Sequence, residues 1–193
     1  TPLSSLIAWV EYLETQPIDS SIPLEMKKDV QRLEQVTNRF SKIGSEIKLE
    51  HSNICDTVKR SMDYLAPRIS TKIEFTLKSS SPTFLVSHNP SLIEWVIENI
   101  CKNAIDAMEN KGKLSIYIHQ EGASTYIDLS DTGKGIEEQH LKSIFQPGFS
   151  TKKRGWGLGL SLVKRIIHDY HHGKISVLKT EVNKGTTFRI ELF

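Results

Sequence analysis

The stretch Glu98-Asn99-Ile100-Cys101-Lys102-Asn103-Ala104-Ile105-Asp106-Ala107-Met108 decides the fold. It lies in a segment that opens on Asn89-Pro90, a cap residue followed by proline at the first helical position. Gly112 closes the segment, so a helix is predicted to run to about Asn110. Asn99 and Asn103 are four apart and share one helix face, with Cβ atoms about 5–6 Å from each other. Asparagine is a mediocre helix former, so two of them in mid-helix, with Asp106 a turn further on, mark a polar face. Amide oxygens can ligate a hard cation such as Mg²⁺, which usually brings a nucleotide phosphate and waters. A merely solvated face is the bland alternative.

Beyond this helix, Leu114, Ile116 and Ile118 and then Ile127 and Leu129 alternate as two strands. Asp131-Thr132-Gly133-Lys134-Gly135 follows. Asp131 has the parity of Ile127 and Leu129, so it extends an inward face, where a carboxylate needs hydrogen-bond donors. An adenine amine is one such donor, and the two glycines would let backbone approach a flat base. An ordinary Asp-x-Gly turn, common after a strand, is the plainer reading of these residues taken alone. Phe145-Gln146-Pro147-Gly148-Phe149-Ser150-Thr151-Lys152 reads as a hinged loop with aromatic anchors, running into Lys153 and Arg154. It is either a solvated basic loop or a lid that brings positive charge over phosphates. Gly155-Trp156-Gly157-Leu158-Gly159-Leu160 leads straight into a helix predicted over Leu158–His171. Free N–H groups at such a turn can hold an anion. Its G-x-G-x-G spacing is not the dinucleotide fingerprint. Ile175 and Val177, then Phe188, Ile190 and Leu192, predict a closing hairpin. His168 and His172 have the i, i+4 spacing of zinc sites, but no acidic or thiol partner stands at suitable spacing, so no metal is expected there.

Working toward the N-terminus, a short run at Phe84–Ser87 and an alternating run at Ile73, Phe75 and Leu77 predict strands. A helix from Ser52, a plausible N-cap, to about Leu65 precedes them. Residues 1–45 have a different character. Leu3, Leu6, Ile7, Val10 and Leu13 recur at helical spacing, and after an interruption at 16–23 so do Met26, Val30, Leu33, Thr37 and Phe40. This predicts a helical hairpin whose apolar stripes are too wide to be buried by two helices alone.

Composition sets the outer bounds. The chain has 193 residues, 38% hydrophobic and 25% charged, a globular mixture. Its net charge of +2 makes no case for nucleic acid. Residues 1–50 carry six Lys/Arg and eight Asp/Glu, net −2, which leaves +4 for the remainder. No apolar run reaches the ~20 residues that span a bilayer, and no signal peptide is visible. Cys55 and Cys101 form neither a disulfide framework nor a zinc pattern, which suits a reducing compartment.

The four motifs, in order within residues 99–159, resemble the N, G1, F and G2 boxes of the histidine kinase catalytic domain, in the superfamily of gyrase, Hsp90 and MutL. The resemblance covers roughly residues 50–193, and Gly185-Thr186-Thr187-Phe188 fits the family's last segment. It implies an α+β chain: an N-terminal helical hairpin (1–45), half of a dimeric four-helix bundle, then an α/β sandwich (46–193) that binds ATP with Mg²⁺ under a lid. On that basis Asp131 would accept from the adenine amine with Thr186 nearby, Gly133, Gly135 and Ile136 would line the base, and Asn99, Asn103 and Asp106 would face metal and phosphates. Asn103 would be the principal metal ligand and Asn99 the weaker one. Lys152, Arg154, Gly155, Gly157, Leu158, Gly159 and Leu160 would border the phosphates. Gyrase-like members carry a glutamate as general base where this sequence has Asn99, so the kinase pattern fits better. Glu98 is next door but about 100° around the helix. Thr1-Pro2-Leu3 resembles the end of the phosphoacceptor motif H-E-x-x-T-P-L, which would put the acceptor His four residues before Thr1. Thr1 matches the position that orients water during dephosphorylation of a response regulator.

The resemblance therefore implies the cytoplasmic core of a sensor histidine kinase. It would pass the ATP γ-phosphoryl to a His and on to the Asp of a response regulator receiver domain, and work as a homodimer through the hairpin. An ATPase of the gyrase or MutL kind, and a degenerate kinase used as a dimeric scaffold, are the competing readings.

Overall fold

The structure is a computed structural model that describes residues 2–15, 23, 26, 27, 30, 47–152 and 157–193. The chain divides into two compact units, Thr1–Ile47 and Lys48–Phe193. In the first, helix α1 spans Pro2–Glu14 and buries Val10. Trp9 and Tyr12 meet edge to face on its exposed side, with ring centroids 6.1 Å apart. Lys27 pairs with Glu14 at 3.0 Å. Most of the predicted second helix lies outside the described residues. Among the described residues, no helix is long and apolar enough to cross a membrane.

The second unit begins with β1 (Glu50–Asn53) and α2 (Ile54–Leu65). The cap is Asn53, not Ser52. Ser52 is paired in β1 opposite Val86, and the Asn53 carboxamide accepts from the N–H groups of Cys55 and Phe84. Strand β2 (Ile73–Ser79) and β3 (Leu85–His88) follow, then α3 (Pro90–Ala107), whose Asn89 cap accepts from the Leu92 N–H at 3.1 Å. The helix stops three residues before the predicted Asn110. Glu109 and Asn110 take left-handed φ values of 52° and 63°, which turn the chain into β4 (Gly112–Glu121).

Strand β5 (Ser124–Asp131), helix α4 (Gly159–Arg165), β6 (Lys174–Glu181) and β7 (Gly185–Leu192) complete the unit. The predicted helix over Leu158–His171 is α-helical only to Arg165. It then widens to a π turn over Ile166–Tyr170. The main sheet has strand order β2-β4-β5-β7-β6, with β2 parallel to β4 and the remaining pairs antiparallel. One face is apolar, built from Leu114, Ile116, Ile118, Ile127, Leu129 and Ile190, all buried. Helix α3 contributes Ile93, Val96, Ile97 and Ile100 to the core, α4 contributes Val163, and the π turn contributes Ile166 and Ile167. This core sets the C-terminal end of α3 beside the loop that follows β5.

Two buried histidines link the helices at the opposite end. His171 Nε2 accepts from the Asn89 N–H at 3.0 Å, so its proton sits on Nδ1, which donates to the Ile166 carbonyl at 2.8 Å. His88 Nδ1 donates to the Val86 carbonyl, and its Nε2 takes the Thr57 hydroxyl, both at 2.9 Å. Burial pushes both imidazoles below their ordinary 6.5, against a partly offsetting bond to a backbone carbonyl. Arg60, Glu50 and Glu94 act on His88, and His88 and His172 act on His171. The unfolded chain binds more protons than the folded one between the lowered values and 6.5. The stabilisation is complete above that range and is lost as the pH falls through it. Melting temperature should therefore drop as buffer is taken from pH 8 toward pH 5. His171→Leu should flatten this slope while costing about 1–3 kcal/mol at pH 8 through the orphaned Asn89 N–H. Urea unfolding at both pH values measures each effect.

Candidate functional site

The site is built on the polar face of α3 and the end of β5. Asn99, Asn103 and Ala107 are spaced by four and line one face, which rises by about 12 Å along the helix axis. At the Ala107 end the chain after β5 docks on the helix: the Lys134 N–H donates to the Ala107 carbonyl at 3.0 Å. A Cβ on Gly133 would stand 2.7 Å from the Ala107 carbonyl carbon, so only glycine permits this approach.

Asp131 is buried at the same end. Its Oδ1 accepts the N–H of Gly133 at 2.8 Å and of Thr186 at 3.3 Å. Both bonds land on one oxygen, which leaves Oδ2 for a further donor. Burial raises the carboxyl above the usual Asp range, and the two N–H bonds only partly oppose it. The Thr186 backbone, not its hydroxyl, reaches Asp131. The hydroxyl lies 3.1 Å from that of Thr180. Thr180 carried no sequence signal, yet it accepts the Ile136 N–H at 2.9 Å and so fixes the loop after Gly135. Gly135, at φ 71°, packs on Glu181, where a Cβ would meet the carbonyl oxygen at 2.2 Å. The requirement for glycine at 133 and 135 comes from these backbone approaches.

At the other end, the Asn99 side-chain amide donates to the Trp95 carbonyl at 2.9 Å, which turns Oδ1 outward. A Cβ on Gly159 would lie 3.4 Å from that oxygen, so the first turn of α4 faces Asn99. Leu158 and Leu160 flank this turn, half-buried. Asn103 Oδ1 accepts from the Lys152 ammonium at 3.0 Å, and Asp106 Oδ2 pairs with the same ammonium at 2.5 Å. An amide oxygen that already receives a cation suits a hard metal ion. Glu98 points away and pairs with Lys102 at 3.2 Å.

The intervening loop is pinned at its neck by the Gly148 N–H, which donates to the Gly157 carbonyl at 3.0 Å. Phe145 meets Phe188 edge to face at 6.3 Å, and Phe149 lies 5.2 Å from the His140 ring. Arg154, Gly155 and Trp156 lie outside the described residues, as does Thr1. His168, weighed in the sequence as half of a metal pair, lies 2.8 Å from Asp169 Oδ1.

Residues 88–193 match the family model described as histidine kinase-, DNA gyrase B-, and HSP90-like ATPase. Among curated proteins, the sensor histidine kinase ZraS of Escherichia coli strain K12 is 29% identical over 200 residues, covering 99% of this chain and 42% of that protein. The chain thus spans about two-fifths of the length of this relative and of the ZraS proteins of other bacteria that it matches. Among solved structures, the catalytic domain of histidine kinase ThkA superposes with a TM-score of 0.69 at 28% identity, over 76% of this chain and 95% of that one. Full-length ShkA in complex with AMPPNP superposes with a TM-score of 0.78, covering 99% of this chain and 42% of that one. At 22% identity this second likeness shows the fold alone.

The raised carboxyl has a stability consequence of its own. The folded chain holds its Asp131 proton more tightly than the unfolded chain, so stability falls as the pH rises through the elevated value. Asp131→Asn removes that slope and keeps an oxygen for Gly133 and Thr186. Its melting temperature at pH 7 should equal or exceed that of the parent chain, as calorimetry would register.

Proposed function

Because the chain belongs to the histidine kinase-, DNA gyrase B-, and HSP90-like ATPase family, we propose that its C-terminal unit binds Mg·ATP as the kinase core of a two-component sensor histidine kinase. The adenine amine would donate to Asp131, with Gly133, Gly135 and Ile136 beside the base. Asn99 and Asn103 would hold the metal and phosphates, and the Gly157–Leu160 turn and Lys152 would border the triphosphate. Magnesium supplies charge neutralisation at the phosphate oxygens. The residues of this site bind and orient; none of them is asked to be a nucleophile, as suits phosphoryl transfer governed by position and charge.

The observation that carries the kinase reading over the ATPase reading is the pair Asn99 and Glu98. An amide is no base for water, and the neighbouring carboxylate is engaged with Lys102 on another face. The γ-phosphoryl would pass to a His on a helical hairpin and then to an Asp of a response regulator receiver domain. The hairpin at 1–45 would supply the dimer, two copies forming a four-helix bundle. Thr1 is assigned the water-orienting role of the phosphatase reaction, and the setting is cytoplasmic.

None of the seven histidines (51, 88, 119, 140, 168, 171, 172) lies in residues 1–45. These 193 residues should bind ATP yet take up no acid-labile phosphate from labelled ATP. Label on this chain would overturn the assignment of the acceptor. Steady ATP turnover would favour the gyrase-like reading, and no measurable nucleotide binding the scaffold. Asp131→Asn should lower ATP affinity roughly 10- to 100-fold, because its amide would set a donor against the adenine amine. Unchanged affinity would remove Asp131 from the site.

A further inference from the structure

Lys152 and Asp106 belong to different parts of the site, one in the loop and one on α3, and they meet closely. The Lys152 ammonium lies 2.5 Å from Asp106 Oδ2 and 3.0 Å from Asn103 Oδ1. Asn103 and Asp106 are three apart, so both reach the ammonium from one helix face. The Lys152 backbone N–H is held by the Ser150 hydroxyl at 3.1 Å, which fixes the turn that delivers the side chain. A magnesium ion on the Asn103 oxygen would stand beside this ammonium, and two cations on one neutral oxygen repel. Lysine and metal are therefore alternatives at that position.

We propose that Asp106 is a positioning residue that parks Lys152 on the Asn103 amide oxygen, so that metal-bound nucleotide enters by displacing the lysine. This rests on the nucleotide-binding reading above and reassigns Asp106 from ligand contact to lid latch. The released ammonium then meets the phosphates, and the Asp106 carboxylate is left to solvent. That exchange is feasible because the two side chains are 42% and 58% exposed. An exposed pair of this kind shifts an equilibrium by about five-fold at most, and salt weakens it.

Two measurements test the latch. Hydrogen exchange of the Thr151 and Lys152 amides, with no nucleotide present, should quicken several-fold in Asp106→Asn and in Lys152→Gln, and Asp106→Glu should restore it. Unchanged exchange in Asp106→Asn overturns the latch whatever the chain binds. In calorimetric titration with magnesium and a non-hydrolysable ATP analogue, Asp106→Asn should bind about three- to five-fold more tightly at about 50 mM salt, at a lower magnesium requirement. The gain should shrink at about 300 mM salt and vanish in a Lys152→Gln background. Weaker binding by Asp106→Asn would make Asp106 a ligand of the metal and overturn the proposal. If the parent chain binds no analogue, the nucleotide reading fails, and the exchange experiment still decides the latch.

Discussion

A buried carboxylate with one oxygen satisfied by the backbone is the constraint on which the C-terminal unit depends. Asp131 ends β5 on the apolar side of the sheet, where an ion is costly unless donors surround it. The N–H groups of Gly133 and Thr186 supply two donors to Oδ1. That requirement brings the start of β7 to the end of β5, and Gly185 permits the contact. At φ 116° it passes so close that a Cβ would stand 1.9 Å from the Asp131 carbonyl oxygen. The loop after Asp131 then docks on Ala107, so the same carboxylate also fixes the end of α3. Its remaining oxygen is left for a further donor.

The other end of the site is governed by charge rather than burial. Asn99, Asn103 and Asp106 present oxygens along α3, and the loop residue Lys152 meets the last two. The loop is anchored by the Phe145–Phe188 contact and by the Gly148–Gly157 bond. One end of the site is thus held by backbone hydrogen bonds to a buried carboxylate, the other by an exposed ion pair.

Much of this was legible from residue order. The period-2 runs at Ile127–Leu129 placed Asp131 on the inward face, and Asn89-Pro90 marked the start of α3, because local parity and capping chemistry are set by neighbours in the chain. Element ends were read less well. Ser52 looked like a cap but is held in β1 by Val86, 34 residues away, and the last helix widens at Ile166 ahead of His171, whose ring accepts from Asn89, 82 residues away. These are decisions made by contacts remote in sequence, which no local pattern carries.

The sequence by itself determined the chemistry on offer: the spacing of the asparagines, the Asp-x-Gly-x-Gly run and the glycine turn into α4 are covalent facts. Only the tertiary structure decided which groups meet. It assigned Gly133 and Gly135 to backbone packing, gave the Asp131 contact to the Thr186 backbone, brought in Thr180, and set Asp106 against Lys152. The physical reason is that side-chain chemistry is local, whereas hydrogen-bond satisfaction and charge pairing are settled by whatever the folded chain brings within about 3 Å.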